Sequence, residues 1–285
     1  MKTLGVIANC AKERAGVVLG RLRAKALVLG LEVLPDAATA RLMGIVSTAT
    51  PADVARQADT LMVLGGDGSM LRAVRELGGR DIPVIGVNLG ALGFMTSVTE
   101  NDLERALDCL VNKDYTMSQR DVLDCSVLRD GVPDGRNYRA LNDVVLICGS
   151  RVGTLRMSID GREVGDFVCD GLIVSTPTGS TGHSLSAGGP VLVPGTGALV
   201  ISLICPHTLS TRPLVVSNDS TIEVTVVERV VDARLSVDGQ VGGPLVIGDV
   251  VRIKRSARGV RFIHLPDHDY FAVLRQKLHW RGSNV

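Results

Sequence analysis

The segment Leu61-Met-Val-Leu-Gly-Gly-Asp-Gly-Ser-Met70 constrains the fold of this chain more than any other. Its four apolar residues, Leu61 to Leu64, read as a buried strand. They run into three glycines that surround one aspartate, Asp67, and a helical pattern starts at once, with Met70, Val74 and Leu77 on one face. A strand that stops in glycines just before a helix makes an anion-sized hollow lined by backbone N–H groups. A carboxylate in that hollow would repel a simple phosphate. It suits a site where it takes a proton from a hydroxyl that attacks a phosphoryl group, or helps to hold a metal. The plain alternative is a tight strand-to-helix turn with an N-capping aspartate.

The same alternation extends over the first third of the chain. Thr3 to Ala8 reads as a strand, which also suits the N-terminal apolar run better than a signal peptide. Ala15, Val18, Leu19, Leu22, Ala26 and Leu29 recur at helical spacing, and Glu32 to Leu34 is a short strand. Thr50-Pro51-Ala52-Asp53 has a capping residue, a proline at the first helical position and an acidic first turn. Ile82 to Val87 is another buried strand, and it runs into a second glycine-rich loop, Asn88-Leu-Gly-Ala-Leu-Gly-Phe94. Strands alternating with helices predict a parallel sheet covered on both faces, with ligands bound beyond the carboxyl ends of its strands. Both glycine loops fall at such ends.

Thr99 and Asp102 open a further helix carrying Leu103, Ala106, Leu107 and Leu110. Beyond about residue 118 short β-rich runs are divided by turn residues: Asp130-Gly131, Asp160-Gly161, Asn218-Asp219, Asp238-Gly239 and Ala257-Arg-Gly259. This half predicts an all-β structure of two packed sheets. The stretch after Pro266 is again helix-like, with Phe271, Leu274 and Leu278. The resulting division is an α/β domain over 1–97, a β-rich domain over 98–265 and a returning tail over 266–285, closely packed with the ligand between domains.

Bulk properties narrow the function. The net charge is +1 and aromatic residues make up 3% of the chain, which argues against nucleic acid as a partner. The apolar runs are far shorter than the ~20 residues of a membrane helix. The six cysteines are scattered without a C-x-x-C pair, as in a reduced, cytoplasmic protein. His207, His264, His268 and His279 are not spaced as metal ligands, and Trp280 reads as an anchor for the tail.

Two more stretches carry candidate chemistry. Gly171 to Ser175 reads as a buried strand that ends in Thr176, Thr178, Ser180 and Thr181, broken by Pro177 and Gly179. Hydroxyls at this density suit phosphate oxygens and ribose hydroxyls, and Ser184 to Ala187 can start a helix facing the same place. A serine- and threonine-rich surface turn is the alternative. Asn142-Asp143, directly before the apolar Val144-Val145-Leu146, either caps a turn or reads a nucleoside, with the carboxylate accepting from sugar hydroxyls.

Taken in order, Gly65-Gly-Asp-Gly68, Gly86-Val-Asn-Leu-Gly-Ala-Leu-Gly-Phe94, Asn142-Asp143, Asp170-Gly-Leu-Ile-Val-Ser-Thr-Pro-Thr-Gly-Ser-Thr181 and Ser186-Ala-Gly-Gly-Pro190 resemble the NAD kinase family. Ile204-Cys-Pro-His-Thr-Leu-Ser210, Arg212-Pro213-Leu214 and Asp238-Gly239-Gln240 extend the likeness over nearly the whole chain. The resemblance implies an N-terminal Rossmann-like α/β domain, a C-terminal β-sandwich, and phosphorylation of the 2′-hydroxyl on the adenosine ribose of NAD to give NADP. It implies ATP as donor (polyphosphate in some members), a divalent cation such as Mg2+, and a dimer or tetramer. By motif position Asp67 is the proton acceptor, and Gly68 and Arg72 lie in the nucleotide site. Asn142 and Asp143 contact NAD, while Arg151, Val168 and Asp170 sit at binding positions, the last near a subunit boundary. Thr181, Gly182, His183, Ser184, Leu185 and Ser186 wrap the dinucleotide, and Gln240 contributes late in the chain. Three positions depart from the family pattern: Asp143 stands where glutamate is usual, Gly182-His183 where Ala-Tyr is usual, and Val168 where a polar or basic residue is common. The rival readings are a lipid or sphingoid kinase, which shares the glycine–aspartate loop, and a non-catalytic dinucleotide-binding regulator.

Overall fold

In the computed structural model, residues 1–91, 93–208, 210–228 and 232–280 are described. Leu92 of the second glycine loop and Leu209 of the Ile204–Ser210 stretch lie outside the described residues. The chain divides into two compact units, Met1–Gln119 together with the segment from Val260 onward, and Arg120–Gly259.

The first unit is an α/β sheet structure. Its strands lie in the order Glu32–Pro35, Thr3–Ala8, Thr60–Gly65, Val84–Asn88, Val260–His264 and Thr116–Arg120, with Val98–Thr99 paired to Val84–Asn88. The first four pair in parallel. The chain leaves Thr3–Ala8 toward one edge and returns on its other side at Thr60–Gly65. Strand order therefore reverses between these two strands, and such a reversal opens a crevice at their carboxyl ends. Both are buried along most of their length, which explains their continuous apolar runs.

The helices form where the pattern predicts them. Ala15–Val28 buries Ala15, Val18, Leu19, Leu22 and Ala26. Pro51–Gln57 starts with a capping box in which the Thr50 side chain accepts from Asp53 N–H and the Asp53 carboxylate accepts from Thr50 N–H. A helix over Ala37–Leu42 has no counterpart in the periodicity analysis, although its signal is present: the Asp36 carboxylate accepts from Thr39 N–H at 3.0 Å. Trp280 is 55% exposed and does not anchor the tail as expected.

The units divide at 119/120, later than the sequence division at 97/98, and at 259/260, earlier than 265/266. Helix Leu103–Asn112 belongs to the first unit because Leu103, Ala106, Leu107 and Leu110 share a core with Leu19 and Leu22 of the first helix. Two ion pairs strap these helices together, Arg21 to Glu104 and Lys25 to Asp108. Val260–His264 joins the first sheet, where Phe262 pairs in parallel with Val84. Its β-branched and aromatic residues read the same whichever sheet receives them.

The second unit is a sandwich of two six-stranded sheets. One runs in the order Arg162–Cys169, Gly153–Ile159, Ile222–Glu228, Val250–Arg255, Leu123–Arg129 and Val132–Ala140. The other runs Leu214–Ser217, Ala198–Ile204, Gly171–Ser175, Asp143–Ile147, Arg234–Val237 and Val241–Pro244. One buried core joins them, with Val127, Val224 and Ile253 from the first and Val144, Leu172 and Leu235 from the second. Three of the predicted Asp-Gly turns, at 130–131, 160–161 and 238–239, have positive φ at both residues. That conformation matches the twist of the strands they join. Directly before the inner strand Val250–Arg255, Asp249 is fully buried. Burial opposes its ionised form, but Arg129 donates two bonds at 2.8 and 2.9 Å, Val246 N–H a third, and Arg136 lies nearby, so its carboxyl is held below its ordinary value.

Candidate active site

The first unit places Asp67 at the strand-order reversal. Strand Thr60–Gly65 ends there, Gly66 precedes the helix, and Asp67–Leu77 is that helix. Asp67 is its first helical residue and is not the N-cap, so the N-capping alternative fails; the half-buried carboxylate turns toward the second glycine loop. Phe94 N–H donates to its Oδ2 at 2.9 Å and Met95 N–H to its Oδ1 at 3.0 Å. The loop is itself braced. The buried Asn88 side chain donates to Ala91 O and to Thr96 Oγ1, and accepts from Gly90 N–H. Two of the four lone-pair directions of the Asp67 carboxylate are thus taken and two remain.

The glycines around Asp67 play different parts. A Cβ on Gly65 would lie 2.1 Å from Ser69 Oγ, and one on Gly93 would lie 2.0 Å from Asp67 Oδ1. Both positions are closed by packing. A Cβ on Gly66 or Gly68 would meet nothing within 4 Å, and neither has positive φ. Neither sterics inside the chain nor backbone conformation demands glycine at 66 and 68. Their lack of side chains lets a ligand come close to the backbone at this helix N-terminus. Gly68 and Arg72 lie on the exposed side of the helix, one turn apart.

The second unit gathers Asn142, Asp143 and His183 around a cavity of about 220 Å³, which Asp238 and Gly239 also line. Asp143 opens strand Asp143–Ile147 and is buried. Burial, and then the negative charge of Asp238, push its carboxyl up to about 7. Every backbone polar group from 141 to 143 is bonded. The amides of Leu141, Asn142 and Asp143 donate to the Asp238 carboxylate at 2.9, 2.8 and 3.1 Å. Leu141 O accepts from Thr176 Oγ1, Asn142 O from Thr176 N–H, and Asp143 O from Asp238 N–H. Gly179 is pressed against this segment, since its Cβ would lie 2.2 Å from Asn142 O. Asn142 Oδ1 is buried with no hydrogen-bond partner.

The hydroxyls of the 176–181 loop differ from their predicted use. Thr176 bonds Leu141 O, Ser180 bonds Pro177 O and Leu192, and Thr181 bonds Thr178 O. They lock the loop's own backbone, because a loop buried this deeply must satisfy its polar groups internally. Ser184 is likewise buried, with its hydroxyl on Ser202. Gly182, His183 and Ser186 are exposed, while Thr181 and Leu185 are partly so. The predicted helix after them is one turn, His183–Ser186. Arg151, Val168 and Asp170 do not line the 220 Å³ cavity, and Gln240 is an exposed residue beside the Asp238-Gly239 turn. Larger hollows of about 490 and 440 Å³ contain none of the predicted site residues. Sequence reasoning missed the roles of Gly93, Asn88 and Asp238. All three lie in noted motifs, but only their tertiary contacts reveal what they do.

Among the described residues no cluster of three metal-ligating side chains occurs, and no helix is long and apolar enough to cross a membrane.

Known proteins match this arrangement over its full length. A family model for the ATP-NAD kinase N-terminal domain matches residues 12–115, and one for the C-terminal domain matches 141–265. The NAD kinase of Geotalea daltonii is 42% identical over 283 residues, covering 98% of this chain and 99% of the relative. That of Geobacter sulfurreducens is 39% identical over 282 residues with the same coverage. An NAD kinase from Archaeoglobus fulgidus, solved in complex with ATP, superposes with a TM-score of 0.77 at 26% identity, covering 99% of this chain and 100% of that one. Yeast NADH kinase complexed with NADH shares the fold, with a TM-score of 0.91 at 24% identity over 100% of this chain and 89% of that one. With both family models falling in order along it and relatives aligned from end to end, the chain belongs to the NAD kinase family of enzymes.

Proposed function

We propose that the chain transfers the γ-phosphoryl group of ATP to the 2′-hydroxyl on the adenosine ribose of NAD, with Asp67 as proton acceptor. The observation that carries this reading is the Asp67 carboxylate: half-buried, at a strand-order reversal, braced by two amides and flanked by two bare glycines. Its two remaining lone-pair directions can accept a hydroxyl proton as the new O–P bond forms. The N-terminal end of helix Asp67–Leu77, where Gly66 and Gly68 carry no side chains, offsets negative charge on the transferring oxygens. Phosphoryl transfer depends mainly on positioning and electrostatics, so few side chains are needed. In the second unit Asn142 and Asp143 bind polar groups of the dinucleotide, beside His183.

The residues present fit a divalent cation held chiefly by the nucleotide's phosphates, with Asp67 as the protein's contribution. Among the described residues there is one such carboxylate and no dedicated cage, which is how Mg2+ commonly sits in phosphoryl-transfer sites. Such an ion would neutralise charge on the phosphate oxygens.

Pure protein mixed with NAD, ATP and magnesium should yield NADP, read with an NADP-specific dehydrogenase. Asp67→Asn should lower kcat by roughly 10²–10⁴-fold, the usual worth of a positioned general base. Near-wild-type turnover in that variant would remove Asp67 from its role.

A further inference from the structure

Asp238 sits at the first central position of the turn from Val237 to Gln240, in the three-residue connection between strands Arg234–Val237 and Val241–Pro244, with φ of 52°. It lies about 95 residues from the segment it touches, yet its carboxylate accepts from three consecutive amides, those of Leu141, Asn142 and Asp143. Its own amide returns a bond to Asp143 O at 3.0 Å. Three successive N–H groups converging on one carboxylate form an anion nest, and charge-assisted bonds of this kind are about twice as strong as neutral ones. A simple turn into the edge strand Val241–Pro244 needs none of this. Glycine or asparagine would fill the left-handed position, and water could satisfy the amides. Three bonds to the acidic side chain come from the backbone that carries Asn142 and Asp143.

We propose that Asp238 is a positioning residue for dinucleotide binding: by holding the amides of Leu141, Asn142 and Asp143 it fixes the direction in which Asn142 and Asp143 present their side chains to the cavity they line. The inference rests on the reading that these two residues bind the dinucleotide. Thr176 and Gly179 hold the carbonyl side of the same segment, so Asp238 is the only clamp on its amide side among the described residues. Losing that clamp lets the segment turn while the strand after it stays paired to Gly171–Ser175.

Asp238→Asn tests this with little disturbance of the turn, because asparagine tolerates the left-handed conformation. Its amide nitrogen must face one of the three N–H donors, so at least one charge-assisted bond is lost. We expect KM for NAD to rise about tenfold with kcat held within about threefold, the signature of weakened ground-state binding. A second readout separates positioning from mere structure. The titratable groups lining the cavity are Asp143, Asp238 and His183. Removing the charge of Asp238 lets Asp143 ionise more readily, so the acid limb in the pH profile of KM should move to lower pH. Both results together support the role. An unchanged KM, kcat and KM damaged together, or an unmoved acid limb overturns it. Asp238→Gly, which takes the same φ without strain, serves if the asparagine variant does not fold. Asn142→Ala runs in parallel. If it leaves KM for NAD unchanged, the dinucleotide reading has failed; if it raises KM while Asp238→Asn does not, only the inference about Asp238 has.

Discussion

Gly93→Ala is the sharpest test of how Asp67 is held. The added methyl group would lie 2.0 Å from Asp67 Oδ1 and 2.7 Å from Thr96 Oγ1, where ordinary contact starts at 3.4 Å. The carboxylate or the loop must retreat by about 1.4 Å, and either movement breaks the bonds from Phe94 and Met95. A misplacement of about 1 Å at a reacting group costs about 10²-fold in rate, so kcat should fall by about that factor. Steady-state NADP formation measures it. Gly90→Ala in the same loop is the control. Its Cβ would come no closer than 3.8 Å to Asn88 Oδ1, and its activity should match the wild type. Placing Gly93→Ala in the Asp67→Asn background should cost little more, because both changes disable one group. Turnover of Gly93→Ala within about threefold of wild type would refute the reasoning, since an effect that small leaves no room for a misplaced base.

Two further outcomes follow from buried carboxylates. Asp143 titrates at about 7 in the folded chain and at 3.8 when unperturbed, so the unfolded chain releases its proton first as pH rises. This contribution to stability is complete below about pH 4 and is lost as pH rises toward 7; Asp143→Asn should flatten that part of the curve of urea midpoint against pH. Asp249 is shifted the other way, so its contribution is present above about pH 4 and is lost as pH falls below it. Asp249→Ala should lower the urea midpoint at neutral pH in the same assay, because Arg129 and Val246 N–H lose their shared acceptor.

Much of this architecture is legible without coordinates. The run Leu61–Met70 declares strand, loop and helix through local rules alone, and the Thr50–Asp53 cap and the Asp-Gly turns do the same. What stays hidden depends on distance along the chain. Nothing local tells Val260–His264 that its neighbours are Val84–Asn88 and Thr116–Arg120 rather than the strands just before it. Nor does composition reveal that the hydroxyls of Thr176 and Ser180 face inward, since a threonine aimed at a ligand and one aimed at a carbonyl are written alike. Gly93 and Asp238 sit in noted motifs, but their purpose lies in atoms 26 and about 95 residues away. Asp67 is the opposite case: three glycines around one carboxylate are unusual enough to announce chemistry on their own.

The placement of Val260–His264 has a bearing on biosynthesis. This strand enters between Val84–Asn88 and Thr116–Arg120, so the first sheet has an empty slot until the ribosome has passed residue 264. Through that interval Val98–Thr99 covers Val87 and Asn88 but Val84 lacks its partner, and the partners of Phe262 and Ile263 stay uncovered. The Arg120–Gly259 sandwich, by contrast, has all of its strands available before that last piece emerges. The nascent chain therefore has every strand of its second unit before the first unit can close, which makes the interval before Val260–His264 emerges the one most exposed to misassembly.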